Sequence, residues 1–243
     1  MRCAAYLGPG FRPVRICTRP SCGLYLMPCG LWLNTRSSSR GNSMQPRDKK
    51  LRPHFAWLVV VMIVLGLASS WVNPWLAFDR VAIEQGQWWR ILTCHLVHLN
   101  HWHLLLNLSG LLLCGYFFED LLDRARLWAW LLFCGITTGV ALLILDPQLQ
   151  HYVGLSGILH GLLVLCLLMG WRGNPVLHSV VLAVIIGRII SEHLPGYDVD
   201  YLQGWIDGRV YVNAHLYGAV SGALLWGLIT GGSYFVDRRA KRE

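Results

Sequence analysis

Residues 154–171 read GLSGILHGLLVLCLLMGW, a continuous and mostly apolar run. A transmembrane helix needs about 20 consecutive, mostly apolar residues, and this run carries no charged side chain. Its polar side chains, Ser156 and His160, both lie in the first two turns. Polar groups inside a bilayer are costly and usually face a partner or a water-filled cavity. The stretch therefore predicts a membrane helix that begins at a polar site.

Similar apolar stretches lie on both sides of this one. Together they predict an all-α membrane protein, a bundle of six transmembrane helices. The six predicted spans cover residues 55–73, 102–118, 127–145, 154–171, 175–193 and 212–233. The connection between the first two is long and contains Trp88-Trp89-Arg90, which predicts a structured loop with Trp89 and Arg90 as a staple.

The composition of the 243 residues agrees with a membrane protein. Apolar residues make up 54% of the chain and charged residues 14%, and the mean hydropathy is +0.43. Soluble domains average about 25% charged residues, so a soluble globular enzyme is disfavoured. A disordered chain is excluded, because such chains are poor in apolar residues.

The net charge of +8 lies almost entirely at the N-terminus. Residues 1–53 hold ten Lys and Arg against one acidic residue, whereas residues 54–243 hold eleven against twelve. We expect three parts: a basic, disordered tail over 1–53, a membrane domain over 54–236 and a short basic tail over 237–243. Translation is expected to start at Met44. The basic tail suits anionic lipid better than nucleic acid, so no nucleic-acid partner is expected.

The positive-inside rule orients the predicted spans. With the N-terminus in the cytoplasm, seventeen Lys and Arg lie inside and four lie outside, so both termini are predicted to be cytoplasmic. The second, fourth and sixth spans then begin at the outer face. Their first turns carry polar residues at one depth: His103 and Asn107, Ser156 and His160, and Asn213 and His215.

Small residues give this site a packing mechanism. Gly157 and Gly161 lie four residues apart on the fourth span, as do Gly218 and Gly222 on the sixth, and such pairs let helix backbones approach closely. Close approach would bring Ser156 within hydrogen-bonding reach of His215.

A serine beside a histidine is a nucleophile with its general base. His103 and Asn107 lie one turn apart and can both donate hydrogen bonds. With the backbone N–H of Ser156, they are candidates to stabilise the oxyanion of a tetrahedral intermediate.

These motifs resemble those of rhomboid intramembrane serine proteases. Gly154-Leu155-Ser156-Gly157 is similar to the family's GxSG, His103-x-x-x-Asn107 to its second-helix motif, and Ala214-His215-x-x-Gly218-x-x-x-Gly222 to its sixth-helix motif. Trp89-Arg90 is similar to its WR pair. The resemblance implies Ser156 as nucleophile, His215 as base, His103 and Asn107 as oxyanion donors, and Gly154, Gly157 and Gly218 as supporting residues. It implies a dyad with no aspartate as a third member.

One position departs from the common rhomboid pattern. Many rhomboids carry a tyrosine four residues after the serine, where this chain has His160, which we expect to orient or stack on His215. The string GLSGILHG resembles the rhombosortase branch of the family. That resemblance implies membrane-anchored substrates with C-terminal Gly-Gly-containing tails, cleaved near the outer face of the bacterial inner membrane. The acyl-enzyme would pass to water or to an amine.

Other interpretations stay open at this point. The histidines allow a bis-histidine haem protein that uses His103, His160 or His215, and the resemblance also allows an inactive rhomboid that only binds clients. Arg188 and Glu192, one turn apart, are interpreted as a structural ion pair or interface anchor with a possible gate role. A metal held by the histidines of residues 95–103 is disfavoured, because no HExxH pattern accompanies them. We expect no cofactor, metal or disulfide.

Overall fold

The computed structural model describes residues 52–198, 200 and 202–240, and for residues 233–240 the backbone alone. The basic N-terminal tail up to residue 51, its proposed start at Met44 and the last three residues lie outside this description. The helices are α1 (Pro53–Leu67), α2 (Ser69–Leu76), α3 (Arg80–Glu84), α4 (Arg90–Thr93), α5 (His101–Phe117), α6 (Arg124–Leu145), α7 (Ser156–Gly170), α8 (Pro175–Glu192), α9 (Gln203–Ile206) and α10 (Val212–Ala240). Two short strands, β1 (Phe78–Asp79) and β2 (His151–Tyr152), pair antiparallel.

The six predicted spans correspond to α1 with α2, α5, α6, α7, α8 and α10. Three helices among the described residues are long and apolar enough to cross a bilayer, namely Arg124–Leu145, Pro175–Glu192 and Val212–Gly232. The bent pair of α1 and α2 would make a fourth. The fold is thus mostly helical and that of a membrane protein. The span number of six and the cytoplasmic termini stay predictions.

The first apolar stretch bends where the sequence predicted one segment. Helix α1 ends at Leu67, and α2 continues at an angle of 102° to it. The carbonyl groups at the end of α2 are bound by the following loop: Arg90 donates to the Pro74 oxygen at 2.6 Å and to the Ala77 oxygen at 2.8 Å. These bonds hold α2 against the loop instead of along the axis of α1.

Trp89 and Arg90 are structural, as the sequence indicated. Arg90 is only 4% exposed and also binds Gln87, while the Trp89 indole N–H donates to the Trp75 oxygen at 3.0 Å. A buried guanidinium has to satisfy its donors within the protein, and here backbone carbonyls accept them. These contacts of Trp89 and Arg90 fix the loop that precedes α5.

Helix α7 occupies the centre of the bundle. It contacts α5, α6, α8 and α10, and its apolar side chains from Leu162 to Leu167 are largely buried. The free cysteines of the described residues, Cys94, Cys114, Cys134 and Cys166, are buried as well. The central position means that the first turn of α7 can be reached by side chains from several neighbouring helices.

Candidate active site

Ser156 is the first residue of α7, and a glycine turn directs the chain into it. Gly154 has a φ of +125°, a conformation that residues with a side chain rarely adopt. A Cβ on Gly154 would lie 2.8 Å from the imidazole of His103, so a larger residue would also displace that ring. The first glycine of the GxSG string is therefore needed both for the backbone turn and for the approach of His103.

His215 lies in the first turn of α10 and faces Ser156. Its Nε2 atom is 3.1 Å from the Ser156 Oγ atom, which is hydrogen-bonding distance. The histidine is 7% exposed and Ser156 is half-buried. The two residues that the sequence proposed as base and nucleophile are thus brought together.

The close approach of α7 and α10 is made by glycines. Gly157 lies against the backbone oxygen of Ala214, and Gly161 lies against that of Gly218. From the other side, Gly218 meets the backbone of Gly157, and Gly222 meets that of Gly161. Main chain therefore contacts main chain along two turns of each helix. This contact sets the separation of Ser156 and His215.

His160 stacks on the ring of His215. The ring centroids are 4.3 Å apart and the ring planes are inclined by 19°. The Nδ1 atom of His160 lies 2.8 Å from the Ser156 backbone oxygen, one turn earlier in α7. Because a carbonyl only accepts hydrogen bonds, this nitrogen carries the proton and the ring is held in place. Of the two roles expected for His160, the structure shows stacking.

His103 and Asn107 lie one turn apart on α5 and line the same cavity as Ser156. The Asn107 side-chain amide donates one hydrogen bond to the His103 oxygen at 3.1 Å, and its second N–H remains a donor for a ligand. The backbone N–H of Leu99 donates to His103 Nδ1 at 3.5 Å, which leaves the proton on Nε2, the atom beside Gly154. Both side chains can therefore donate towards a group bound at Ser156.

Glu192 makes a contact with His215 that sequence reasoning missed. Glu192 ends α8, it is 4% exposed, and its Oε2 atom lies 2.9 Å from Nδ1 of His215. The ion pair with Arg188 is present as well, with the Arg188 Nε atom 2.8 Å from Oε1. The interpretation as an ion pair or interface anchor was therefore incomplete, because the same carboxylate binds the candidate base. A charged residue within an apolar span was the signal that could have found it.

Two further histidines, His95 and His98, are buried in the loop before α5. His95 is fully buried between the backbone oxygens of Gly135 and Gly154, at 3.1 Å and 3.4 Å. Burial lowers the pKa of His95 to about 4, and burial with the neighbouring His103 lowers the pKa of His98 to about 3. Within the described residues, no three His, Cys, Asp or Glu side chains are arranged to hold a metal ion.

A cavity of about 740 Å³ opens at Ser156. His103, Asn107, His160 and His215 all reach it. From there it continues along α5 and α7, between apolar side chains that include Leu106, Leu113, Phe117, Leu159 and Leu163. Leu202, Ile206 and residues 208–211, in and around α9, line the cavity beside the start of α5, where Asn100 donates to the Trp205 oxygen at 2.8 Å. The polar cluster thus lies at one end of a long apolar groove.

Comparison with known proteins gives the same family as the motifs. A family model described as "Rhomboid domain" matches residues 85–232, more than half of the chain and all of the polar cluster. A Bacillus subtilis (strain 168) protein named "Putative rhomboid protease YdcA" is 26% identical over 149 residues, which cover 60% of this chain and 69% of that protein. The Arabidopsis thaliana protein "RHOMBOID-like protein 5" is 31% identical over 88 residues, or 36% of this chain and 28% of that protein. The chain belongs to the rhomboid family.

Proposed function

We propose that this protein is an intramembrane serine endopeptidase that cleaves membrane-anchored proteins. The observation that carries the proposal is the 3.1 Å contact between Ser156 Oγ and His215 Nε2 at the end of an apolar groove. A hydroxyl at this distance from an imidazole can pass its proton to the ring as it attacks a carbonyl carbon. Membership of the rhomboid family, and the protease in the name of the Bacillus relative, support the same activity.

The reaction is a two-step acyl transfer. Ser156 Oγ attacks the carbonyl carbon of the scissile peptide bond, and His215 Nε2 takes the serine proton. The carbon–nitrogen bond then breaks, and His215 returns the proton to the departing amine. In the second step a water molecule gives a proton to His215 and attacks the acyl-enzyme; the ester bond to Ser156 Oγ breaks, His215 returns the proton to Oγ, and the new carboxyl terminus leaves.

The tetrahedral intermediate carries a negative oxygen that the site has to stabilise. The proposed donors are the His103 imidazole, the Asn107 amide and the backbone N–H of Ser156, which belongs to the unpaired first turn of α7. Preorganised donors of this kind lower the barrier, and losing one costs roughly 3–4 kcal/mol.

The groove supports an apolar segment as the substrate. From His103 to Phe117, α5 rises by about 20 Å, so the apolar lining is long enough for most of a membrane-spanning segment. With the chain threaded as its Lys and Arg distribution predicts, the site opens towards the outer face of a bacterial inner membrane. By resemblance to the rhombosortase branch, we propose C-terminal tails containing Gly-Gly as the substrates. An amine that replaced water would give a transferred product.

The surroundings of His215 count against a haem protein. Axial ligation requires a free ring nitrogen, whereas both nitrogens of His215 lie within 3.1 Å of Ser156 and Glu192 side-chain oxygens. His160 covers one face of the same ring at 4.3 Å. At His215, the positions that a haem iron would need are occupied by protein.

The proposal is tested by replacing the two reacting residues. Ser156→Ala and His215→Ala should each abolish labelling by a fluorophosphonate probe and cleavage of envelope proteins, because one lacks the nucleophile and the other the base. Ser109→Ala is the matched control, since Ser109 is exposed on α5 and bonds back to Leu105. Mass spectrometry of cell-envelope proteins would identify the C-termini that depend on Ser156. Labelling and cleavage at the parental rate by either variant would refute the proposal, and a parent that is never labelled would indicate an inactive, client-binding rhomboid.

A further inference from the structure

The carboxylate of Glu192 is buried beside the proposed base. Its side chain is 1% exposed, and each of its oxygens meets one donor: Oε1 faces Arg188 Nε at 2.8 Å, and Oε2 faces His215 Nδ1 at 2.9 Å. Burying a carboxylate is costly unless it is paired and hydrogen-bonded. The contact with Arg188 uses only Oε1. The second oxygen is available for His215.

The contact with Glu192 decides which nitrogen of His215 carries the proton. An ionised carboxylate only accepts hydrogen bonds, so the Nδ1 atom facing it has to be the donor. In a neutral imidazole the other nitrogen, Nε2, then has a lone pair, and this is the atom 3.1 Å from Ser156 Oγ. Only this tautomer can accept the serine proton.

We propose that Glu192 is a positioning residue for His215, so that the site works as a Ser156–His215–Glu192 triad. The inference rests on the proposed protease function and extends it beyond the dyad that the family resemblance implies. Glu192 orients the ring, selects its tautomer and stabilises the positive charge that His215 acquires during attack. The carboxylate itself stays ionised, and no proton moves to it.

Arg188 gives the inference a specific consequence. A guanidinium has donors only, so in a Glu192→Gln variant the amide oxygen turns towards Arg188 and the amide NH₂ towards His215. The NH₂ group then donates to Nδ1 and forces the histidine proton onto Nε2, which can no longer act as base. Removing Arg188 from this variant lets the amide turn round and present its oxygen to His215.

The experiment measures the inactivation of the full-length, detergent-solubilised protein by a fluorophosphonate probe. It separates the maximal inactivation rate, kinact, from the probe affinity, KI. Glu192→Gln should lower kinact on the order of 10⁴-fold with KI unchanged, as expected for a wrong tautomer. The double variant with Arg188→Met should recover at least about tenfold of this loss, because its amide can present the oxygen to His215. Tenfold corresponds to about 1.4 kcal/mol of activation free energy. Glu119→Gln is the control, since it removes the same charge from a carboxylate that pairs with Arg52.

A structural role for the ion pair gives the opposite pattern. Arg188→Met alone would then lower kinact as much as Glu192→Gln, and the double variant would be no better than either. Glu192→Asp keeps the charge and checks the case in which Glu192→Gln folds poorly. If Glu192 positions His215, kinact should be higher in Glu192→Asp than in Glu192→Gln. If Glu192 only fills space, kinact should be higher in Glu192→Gln, because Gln has the same size as Glu. Parental inactivation rates in Glu192→Gln would refute the triad and leave the protease intact. A parent that the probe never labels would instead refute the protease itself.

Discussion

At the scale of single residues, His215 is held from three directions. Ser156 faces one nitrogen, Glu192 faces the other, and the His160 ring lies parallel to one face at 4.3 Å. A ring held in this way needs no rearrangement before it accepts a proton. Preorganisation of this kind lowers a barrier because the orienting cost has already been met in folding.

The role of His160 can be separated into its shape and its chemistry. His160→Phe keeps an aromatic face against His215 and should retain activity within about threefold, whereas His160→Ala removes the stack. Aromatic pairs contribute about 0.5–1.5 kcal/mol beyond burial, so the alanine variant should lose about two- to tenfold in the rate of fluorophosphonate labelling. If both variants lost the same activity, the His160 ring nitrogens would matter and stacking would not explain its position.

The sequence could predict the residues at one depth and the pairing of Ser156 with His215, but it could not predict the contact of His215 with Glu192 on α8. Hydropathy and loop charge put Ser156, His215, His103 and Asn107 at one level. Packing sets the rotation of α8 about its own axis. The sequence of α8 therefore does not show which of its faces turns towards His215. Glu192 had an obvious partner one turn away in Arg188, and that local pair concealed the contact with His215.

At the scale of elements, the contact between α7 and α10 positions Ser156 and His215, the proposed nucleophile and base. Gly218 should be sensitive to any added side chain, because its Cβ would enter the backbone of Gly157. Gly218→Ala should lower stability by about 1–3 kcal/mol through overpacking and should also abolish labelling of Ser156. Gly227→Ala on the same helix is the control, since nothing lies within 4 Å of its Cβ position. Thermal unfolding in detergent and probe labelling measure both effects, and equal behaviour of the two variants would contradict this account.

The bend between α1 and α2 shows the limit of hydropathy at this scale. A run of apolar residues indicates that a segment is shielded from water. It does not indicate the direction of the helix axis. The turn depends on Arg90 and Trp89, which bind the end of α2 from a position later in the chain. Such a contact is non-local, so the sequence of residues 55–73 alone contains no sign of it.

At the scale of the whole molecule, the buried loop histidines predict how stability depends on pH. Burial on folding lowers the pKa of His95 from its usual value of 6.5 to about 4 and that of His98 to about 3. Between pH 6.5 and about 4 the unfolded chain therefore binds more protons than the folded one, and stability falls as the pH falls. The loss amounts to at most about 1.4 kcal/mol per histidine for each pH unit.

Thermal unfolding between pH 7.5 and pH 4.5 measures this dependence. His98→Phe keeps a ring in the buried position without a titrating group, so its unfolding temperature should fall less steeply than that of the parent as the pH is lowered. His101→Gln is the control, because it removes an exposed histidine at the start of α5 and keeps both buried rings. A parental slope in His98→Phe would show that the histidine does not contribute.

The glycine contact between α7 and α10 also restricts how this enzyme can diverge. A catalytic distance that depends on side chains can be adjusted one methylene at a time, whereas a distance set by main chain against main chain has no intermediate steps. Replacing any one of Gly157, Gly161, Gly218 and Gly222 would move the whole helix pair. New substrate preferences should therefore arise on α5 and in residues 202–211, where side chains line the groove without fixing the distance between Ser156 and His215.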